Sequence, residues 1–293
     1  MTISLKADLH CHSIISDGTL TPEALAARAK SNGVTLWALT DHDELGGQAR
    51  AATAAASIGL DYLTGVEISV TFLGQTVHIV GLGFDADNLS LRQGLQQTRG
   101  GRAQRAHDMA DDLARIGILG AFEGALKHAG NHDLISRTHF ARFMVETGVC
   151  KDTYEVFRKY LTEGKPGYVE HRWASLHDAI TWIRQAGGVA VVAHPARYKF
   201  STNEEFALFT EFKGHGGQGV EVVTGSHSVA ESLSYANTAL EFGLAASCGS
   251  DFHSPDESRT DLGVLPDLPA QLTPVWTLLP HRILHAPAIQ PCR

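Results

Sequence analysis

Seven runs of apolar, largely β-branched residues recur along the chain: ISLKADLHCH (3–12), VTLWALT (34–40), YLTGVEISVTF (62–72), TVHIVGLGF (76–84), GVAVVAH (188–194), GVEVVT (219–224) and LAASCGS (244–250). Each has the length and composition of a buried strand. Between many of them the hydrophobic period lengthens to that of a helix. TPEALAARAKSNG predicts a helix with Thr21 as N-cap, Pro22 at its first turn and Gly33 as its stop, and SLHDAITWIRQAGG predicts another capped by Ser175. Strands alternating with helices imply parallel pairing through right-handed crossovers. Seven such strands fit an α/β fold, a closed or distorted (β/α)7 barrel, better than a sandwich, and a barrel of this kind places its chemistry at the C-terminal strand ends.

From about residue 88 to 165 the alternation stops, and only helical patterns appear: RAQRAHDMADDLARIG, THFARFMVETG and TYEVFRKYLTEG. The expected organisation is therefore one barrel made from residues 1–87 and 166–293, with 88–165 inserted as a helical lobe over its mouth. The final stretch, LPDLPAQLTPVWTLLPHRILHAPAIQP, holds six of the ten prolines and reads as a wrap around the outside.

Composition narrows the function. A formal charge of −8 disfavours a surface that binds long nucleic acid, so any phosphate site must be local. The cysteines Cys11, Cys150, Cys248 and Cys292 form no C-x-x-C pair, which points away from a disulfide framework and toward a reducing compartment. No apolar run approaches the roughly 18 residues of a membrane span, and no secretory leader is visible. The expected location is the cytoplasm, with no membrane partner.

Sixteen histidines are many for this length, and several fall at strand ends. In ADLHCHSIISDG, alternation turns His10 and His12 to one face and Cys11 to the other, with Asp17 in the loop that follows. TDHD delivers Asp41, His42 and Asp43 to the same rim. Glu67 lies in GVEIS, His78 in VHIVG, His194 in VVAHP, and Asp251 and His253 in GSDFH. Each motif alone has a structural reading, as a helix cap or a hydrogen-bonded core histidine. Nine nitrogen and oxygen ligands at one end of one barrel exceed the needs of a single ion and suggest two or three divalent metals.

Taken together, DLHCHS, SDG, TDHD, GVE, HIVGLG, AHP and GSDFH resemble, in order and spacing, the polymerase-and-histidinol-phosphatase (PHP) phosphoesterases, a group within the amidohydrolase-like barrels. The resemblance implies a distorted seven-stranded barrel and a trinuclear centre. His10, His12, Glu67 and Asp251 would hold one ion, Glu67 would bridge to a second on His78 and His194, and Asp17, His42 and His253 would hold the third. It also favours manganese, with zinc or iron as alternatives. In that reading a water bridging two ions becomes the nucleophile toward phosphorus, with His194, His253 and Asp251 as the catalytic candidates.

The segments SRTHFARFMVETG, VFRKYLTEGKPGYV and TGSHS resemble a PHP subgroup that removes the 3′-phosphate from nucleoside 3′,5′-bisphosphates, whose relatives include 5′-to-3′ exoribonucleases. That likeness implies Arg102, Arg105, Ser136 and Arg137 as substrate-phosphate ligands. Arg102 and Arg105 lie three apart, on one helix face, and guanidinium forks suit phosphate oxygens. Lys165, Arg158 and Arg197 are further candidates. The competing expectations are a short-RNA exonuclease, a histidinol-phosphate phosphatase and a metal-stabilised regulatory module without turnover.

Overall fold

A computed structural model describes residues 5–287. Its seven strands are β1 (Ala7–Asp8), β2 (Leu36–Leu39), β3 (Asp61–Phe72), β4 (Gln75–Leu82), β5 (Val189–Val192), β6 (Gly219–Thr224) and β7 (Ala245–Gly249). They run in sequence order in one sheet. Leu9 N–H donates to Cys248 O at 3.0 Å, so the first and last strands meet and the sheet all but closes into a barrel.

One expectation needs correction. β1, β2 and β3 pair in parallel, as do β5, β6 and β7, but β4 runs antiparallel to both of its neighbours. The cause is local. β3 and β4 are joined by Leu73 and Gly74 alone, both with positive φ (46° and 79°), which is a tight hairpin turn. A two-residue link cannot make the crossover that parallel strands require.

On the barrel's outside lie α1 (Pro22–Ser31) and α2 (Gln48–Ser57). Thr21 caps α1 by accepting from Ala24 N–H. Then follow α3 (Leu89–Arg99), α4 (Arg102–Arg115), α5 (Ala121–Leu126), α6 (Arg137–Glu146) and α7 (Thr153–Val156), the last running into a π-helical turn over Phe157–Leu161. After these come α8 (Leu176–Gln185), α9 (Thr202–Gly214) and α10 (Val229–Phe242). α3 falls inside the 88–165 stretch, yet its Leu91 and Leu95 join the barrel core. A separate core, including Met109, Leu113, Phe140, Met144 and Leu161, fills the helices from α4 onward. The proline-rich tail packs along the barrel: Leu284 bridges to Tyr62, and Val275 and Leu279 are buried against the main core. Cys292 lies outside the described residues, and Cys11, Cys150 and Cys248 are unpaired and buried. No helix among the described residues is long and apolar enough to cross a membrane.

The start of α6 aims the lobe at the barrel mouth, and a histidine holds it there. Ser136 N–H donates to His139 Nδ1 at 3.0 Å, closing the first turn of the helix. Burial depresses the pKa of this imidazole to about 4. Protonation would set a ring N–H against the Ser136 N–H. Because the folded-state pKa lies below the unfolded one, the unfolded chain takes the proton first. Stability is complete above about pH 6.5 and is lost progressively as pH falls toward 4, by about 3 kcal/mol for a shift of this size. His139→Asn keeps an acceptor near Nδ1 without titrating. Its stability is therefore expected to gain on the wild type as pH drops from 7 to 4 in urea unfolding, and parallel pH profiles for the two proteins would sink this account.

Candidate metal centre and phosphate cleft

Extended backbone after β1 carries His10 and His12 along the barrel mouth. Their Nε2 atoms converge to 3.2 Å, while Cys11 turns the other way, its sulfur receiving the Trp37 indole N–H. The same alternation was legible in the sequence. β7 presses close beneath: a Cβ on Gly249 would lie 2.2 Å from His10 Cβ, so only glycine permits this approach.

Glu67, from β3, sits fully buried at the centre. Its Oε1 lies 2.8 Å from both His78 Nδ1 and His194 Nε2. Its Oε2 lies 3.3, 3.2 and 3.0 Å from His10 Nε2, His12 Nε2 and His42 Nδ1. The two oxygens thus face different sets of imidazoles, which is the disposition a bridging carboxylate needs. Ligand atoms gather in three groups within 4.8 Å: His10, His12, Glu67 and Asp251; His12, Asp17, His42 and His253; and His42, Glu67 and His78. Compared with the expected grouping, His12 also reaches the third set because its ring lies between those of His42 and His253, at centroid distances of 4.4 and 4.1 Å, and His42 stands with Glu67 and His78 where His194 was expected, His194 meeting the cluster through Glu67 Oε1.

The donor chemistry fits divalent cations. His12 Nδ1, Asp17 Oδ1, Glu67 Oε2 and His194 Nδ1 are buried with no hydrogen-bond partner among the described residues, an arrangement that is costly unless something binds there. The charges agree. Burial alone would depress His12, yet Asp251 and Glu67 raise it to about 10, so the carboxylates favour positive charge at the centre. Burial would raise Glu67, but His78, His42 and His10 keep it well below the usual range, and His253 and His42 do the same for Asp17.

Two aspartates of TDHD act as anchors. Asp41 accepts from Ser13 N–H at 2.7 Å, Ser13 Oγ at 2.7 Å and Ser16 Oγ at 2.6 Å, fixing the turn that carries Asp17. Asp43 accepts from Ser69 N–H and Oγ at 2.8 and 2.9 Å and pairs with Arg102. The lobe reaches the same centre: Thr138 and Ser136 hydroxyls donate to Asp17 Oδ2 at 3.0 and 3.3 Å.

A cavity of about 200 Å³ opens over the centre, lined on one side by Glu67, His78, His194 and Asp251 and on the other by Arg102, Arg105, Ser136 and Arg137. Trp173, which the sequence reading did not single out, forms a platform under two of the arginines, 4.7 Å from the Arg102 guanidinium and 5.4 Å from that of Arg105. Arg105 Nε–H donates to Val169 O at 3.0 Å, and Arg137 makes only a long contact of 3.4 Å to Leu161 O. Of the three guanidinium groups only Arg102 is paired with a carboxylate, Asp43, among the described residues. Burial, together with repulsion from Arg137 and Arg102, lowers Arg105 to about 9, as expected of a cation cluster short of anions. Arg197 reaches the cavity from after β5, bound to Asp251 and to Ser226 Oγ. Lys165 and Arg158 do not join it. Both side chains are exposed to solvent and neither lines the cavity.

Comparison with known proteins bears on this arrangement. Residues 8–160 match the PHP domain model. The chain belongs to the PHP domain family. A 3′,5′-nucleoside bisphosphate phosphatase from Chromobacterium violaceum is 51% identical over 277 residues, covering 94% of this PHP chain and 97% of the relative. The 5′-3′ exoribonuclease Rnm of Escherichia coli is 40% identical over 273 residues, with 92% of each chain covered. Among solved structures, an amidohydrolase from Chromobacterium violaceum holding sulfate and no metal superposes on the PHP chain with a TM-score of 0.94 at 50% identity, covering 97% of this chain and 99% of that one. A metal-dependent phosphoesterase structure from Bifidobacterium adolescentis gives 0.79 at 26% identity, covering 94% and 97%. PHP membership and these neighbours bear out the expected barrel and phosphoesterase chemistry.

Proposed function

We propose that this chain is a metal-dependent phosphatase that removes the 3′-phosphate of nucleoside 3′,5′-bisphosphates, releasing nucleoside 5′-monophosphate and phosphate. The observation that carries the reading is the pairing, in one cleft, of a histidine and carboxylate centre with three arginines of which only Arg102 is paired with a carboxylate among the described residues. Two phosphates on one nucleotide answer to these two halves. His10, His12, Asp17, His42, Glu67, His78, His194, Asp251 and His253 would hold two or three divalent cations, with manganese our preferred identity. Such ions, when bound, supply Lewis acidity to phosphoryl oxygens and ionise water near neutral pH. The protein's own part is orientation. Arg105 and Arg137 grip the 5′-phosphate, Arg102 stays fixed on Asp43 and Trp173 as their support, and the ester is thereby presented to the centre in one geometry. The relative from Chromobacterium violaceum, named for this activity, supports the same substrate. Buried, unpaired cysteines suit the cytoplasm as its place of action.

A second reading, a 5′-to-3′ exoribonuclease on short 5′-phosphorylated RNA, is favoured by a groove of about 490 Å³. It continues from Arg197, Asp251 and His253 past Ser226 to exposed Tyr154, which lies under the Arg259 guanidinium. A phosphodiester breaks at the same P–O3′ bond, but its reacting phosphate carries a further nucleotide, which such a groove could take. One experiment separates the readings: phosphate and nucleotide release by manganese-loaded protein from adenosine 3′,5′-bisphosphate, 3′-AMP, 5′-AMP, histidinol phosphate and a 5′-phosphorylated trinucleotide. The bisphosphate is expected to give the highest kcat/KM, and chelation should abolish turnover. A preference for the trinucleotide moves the assignment to the second reading, and a preference for histidinol phosphate removes both.

A further inference from the structure

Of the seven strands, β6 alone supplies no candidate ligand, yet it carries a fully buried carboxylate, Glu221, in the middle of an apolar run. Both of its oxygens are committed. Oε1 accepts from His10 Nδ1 at 2.8 Å, and Oε2 accepts from the backbone N–H of His194 at 2.7 Å. The β6–β7 register shifts between Glu221 and Val223, a bulge that re-aims the strand at this point.

We infer that Glu221 is the positioning residue of the metal centre, setting the tautomer of His10 and the backbone of His194 with one side chain. The inference rests on the metal-binding reading above.

His10 has two ring nitrogens and, when neutral, one proton. The partner at Nδ1 is a carboxylate, which can only accept, so the proton belongs on Nδ1. That leaves the Nε2 lone pair facing Glu67, His12 and Asp251 at 3.3, 3.2 and 3.4 Å. The opposite tautomer would put an N–H into the cluster and a lone pair against a carboxylate. A carboxylate behind an imidazole also raises its basicity as a ligand.

The second bond answers a backbone problem. His194 has φ 26° and ψ 58°, a left-handed conformation that costs a non-glycine residue energy, and it precedes Pro195, which biases it further toward extended backbone. The turn nonetheless brings His194 Nε2 to 2.8 Å from Glu67 Oε1. Glu221 Oε2 ties down the amide of that residue. Both contacts are direct, and Glu221 is 1% exposed.

The test is Glu221→Gln. A glutamine can accept from only one of the two donors and turns its NH2 toward the other. The metal-free proteins are first compared by thermal unfolding, then titrated with Co2+ against a chromophoric chelator. Co2+ affinity is expected to fall about 10- to 100-fold, with altered visible d–d bands in the Co2+ form. An unchanged affinity and spectrum in a folded Glu221→Gln protein overturns the inference. Failure of the wild type to take up Co2+ would instead remove the metal reading on which it rests. A measurement on wild type alone keeps the question open to refutation should the variant not fold. In the Zn2+-loaded protein, 15N imidazole shifts of His10 are expected to show a protonated Nδ1 and a metallated Nε2, and the reverse assignment overturns the inference.

Discussion

Glu67→Gln is expected to lower kcat/KM on nucleoside bisphosphate by about 10³-fold or more and to remove at least one equivalent of bound divalent metal. The reason lies in its neighbours. Five imidazole nitrogens stand 2.8 to 3.3 Å from its two oxygens, on residues from four separate segments of the chain. The amide that replaces the carboxylate carries no charge and turns an N–H pair toward one of these sets, so it can neither bridge nor accept on both sides. Asp251 shares only the set with His10 and His12, and Asp17 belongs to a set without Glu67, so neither can take over the bridge to His78. Metal content by elemental analysis and steady-state phosphate release check the two parts separately. Activity within tenfold of wild type would mean that Glu67 is a structural acid and that the centre lies elsewhere.

Arg137→Ala is expected to act on the other half of the cleft, reducing kcat/KM for adenosine 3′,5′-bisphosphate roughly 10²-fold while leaving 3′-AMP hydrolysis and metal content nearly unchanged. Of the three arginines it has the most uncommitted donors. Arg102 is paired with Asp43, Arg105 donates to Val169 O, and Arg137 makes only the long contact to Leu161 O beside the Phe157 ring. Its removal should therefore cost the 5′-phosphate its freest guanidinium without unpairing a buried carboxylate. An equal loss on both substrates would show that Arg137 supports the catalytic centre and not the second phosphate.

The ligand cluster was readable from sequence because most of its motifs carry two potential ligands or follow a strand, so alternation alone gives their common face. The barrel was readable for a similar reason: apolar runs of six to eleven residues announce buried strands. The direction of β4 was not, since run-and-gap patterns say nothing of polarity, although the two-residue spacer Leu73–Gly74 carried the information. The supporting contacts were out of reach of any local pattern. Glu221 meets His10 across 211 residues, and Asp43 meets Arg102 across 59. One hint was present: GVE occurs at 65–67 and again at 219–221, each placing a single acid inside an apolar strand. Trp173 lies in a segment without regular periodicity, and its role beneath the arginines exists only once α4 has docked.

The meeting of the first strand with the last has a consequence for biosynthesis. His12 and Asp251, 239 residues apart, contribute to the same ligand group, so segments that are synthesised far apart in time share it. A polypeptide lacking the seventh strand and the segment after it holds neither Asp251 nor His253 and has an open sheet. The ligand set is therefore completed only when that strand has docked on the first.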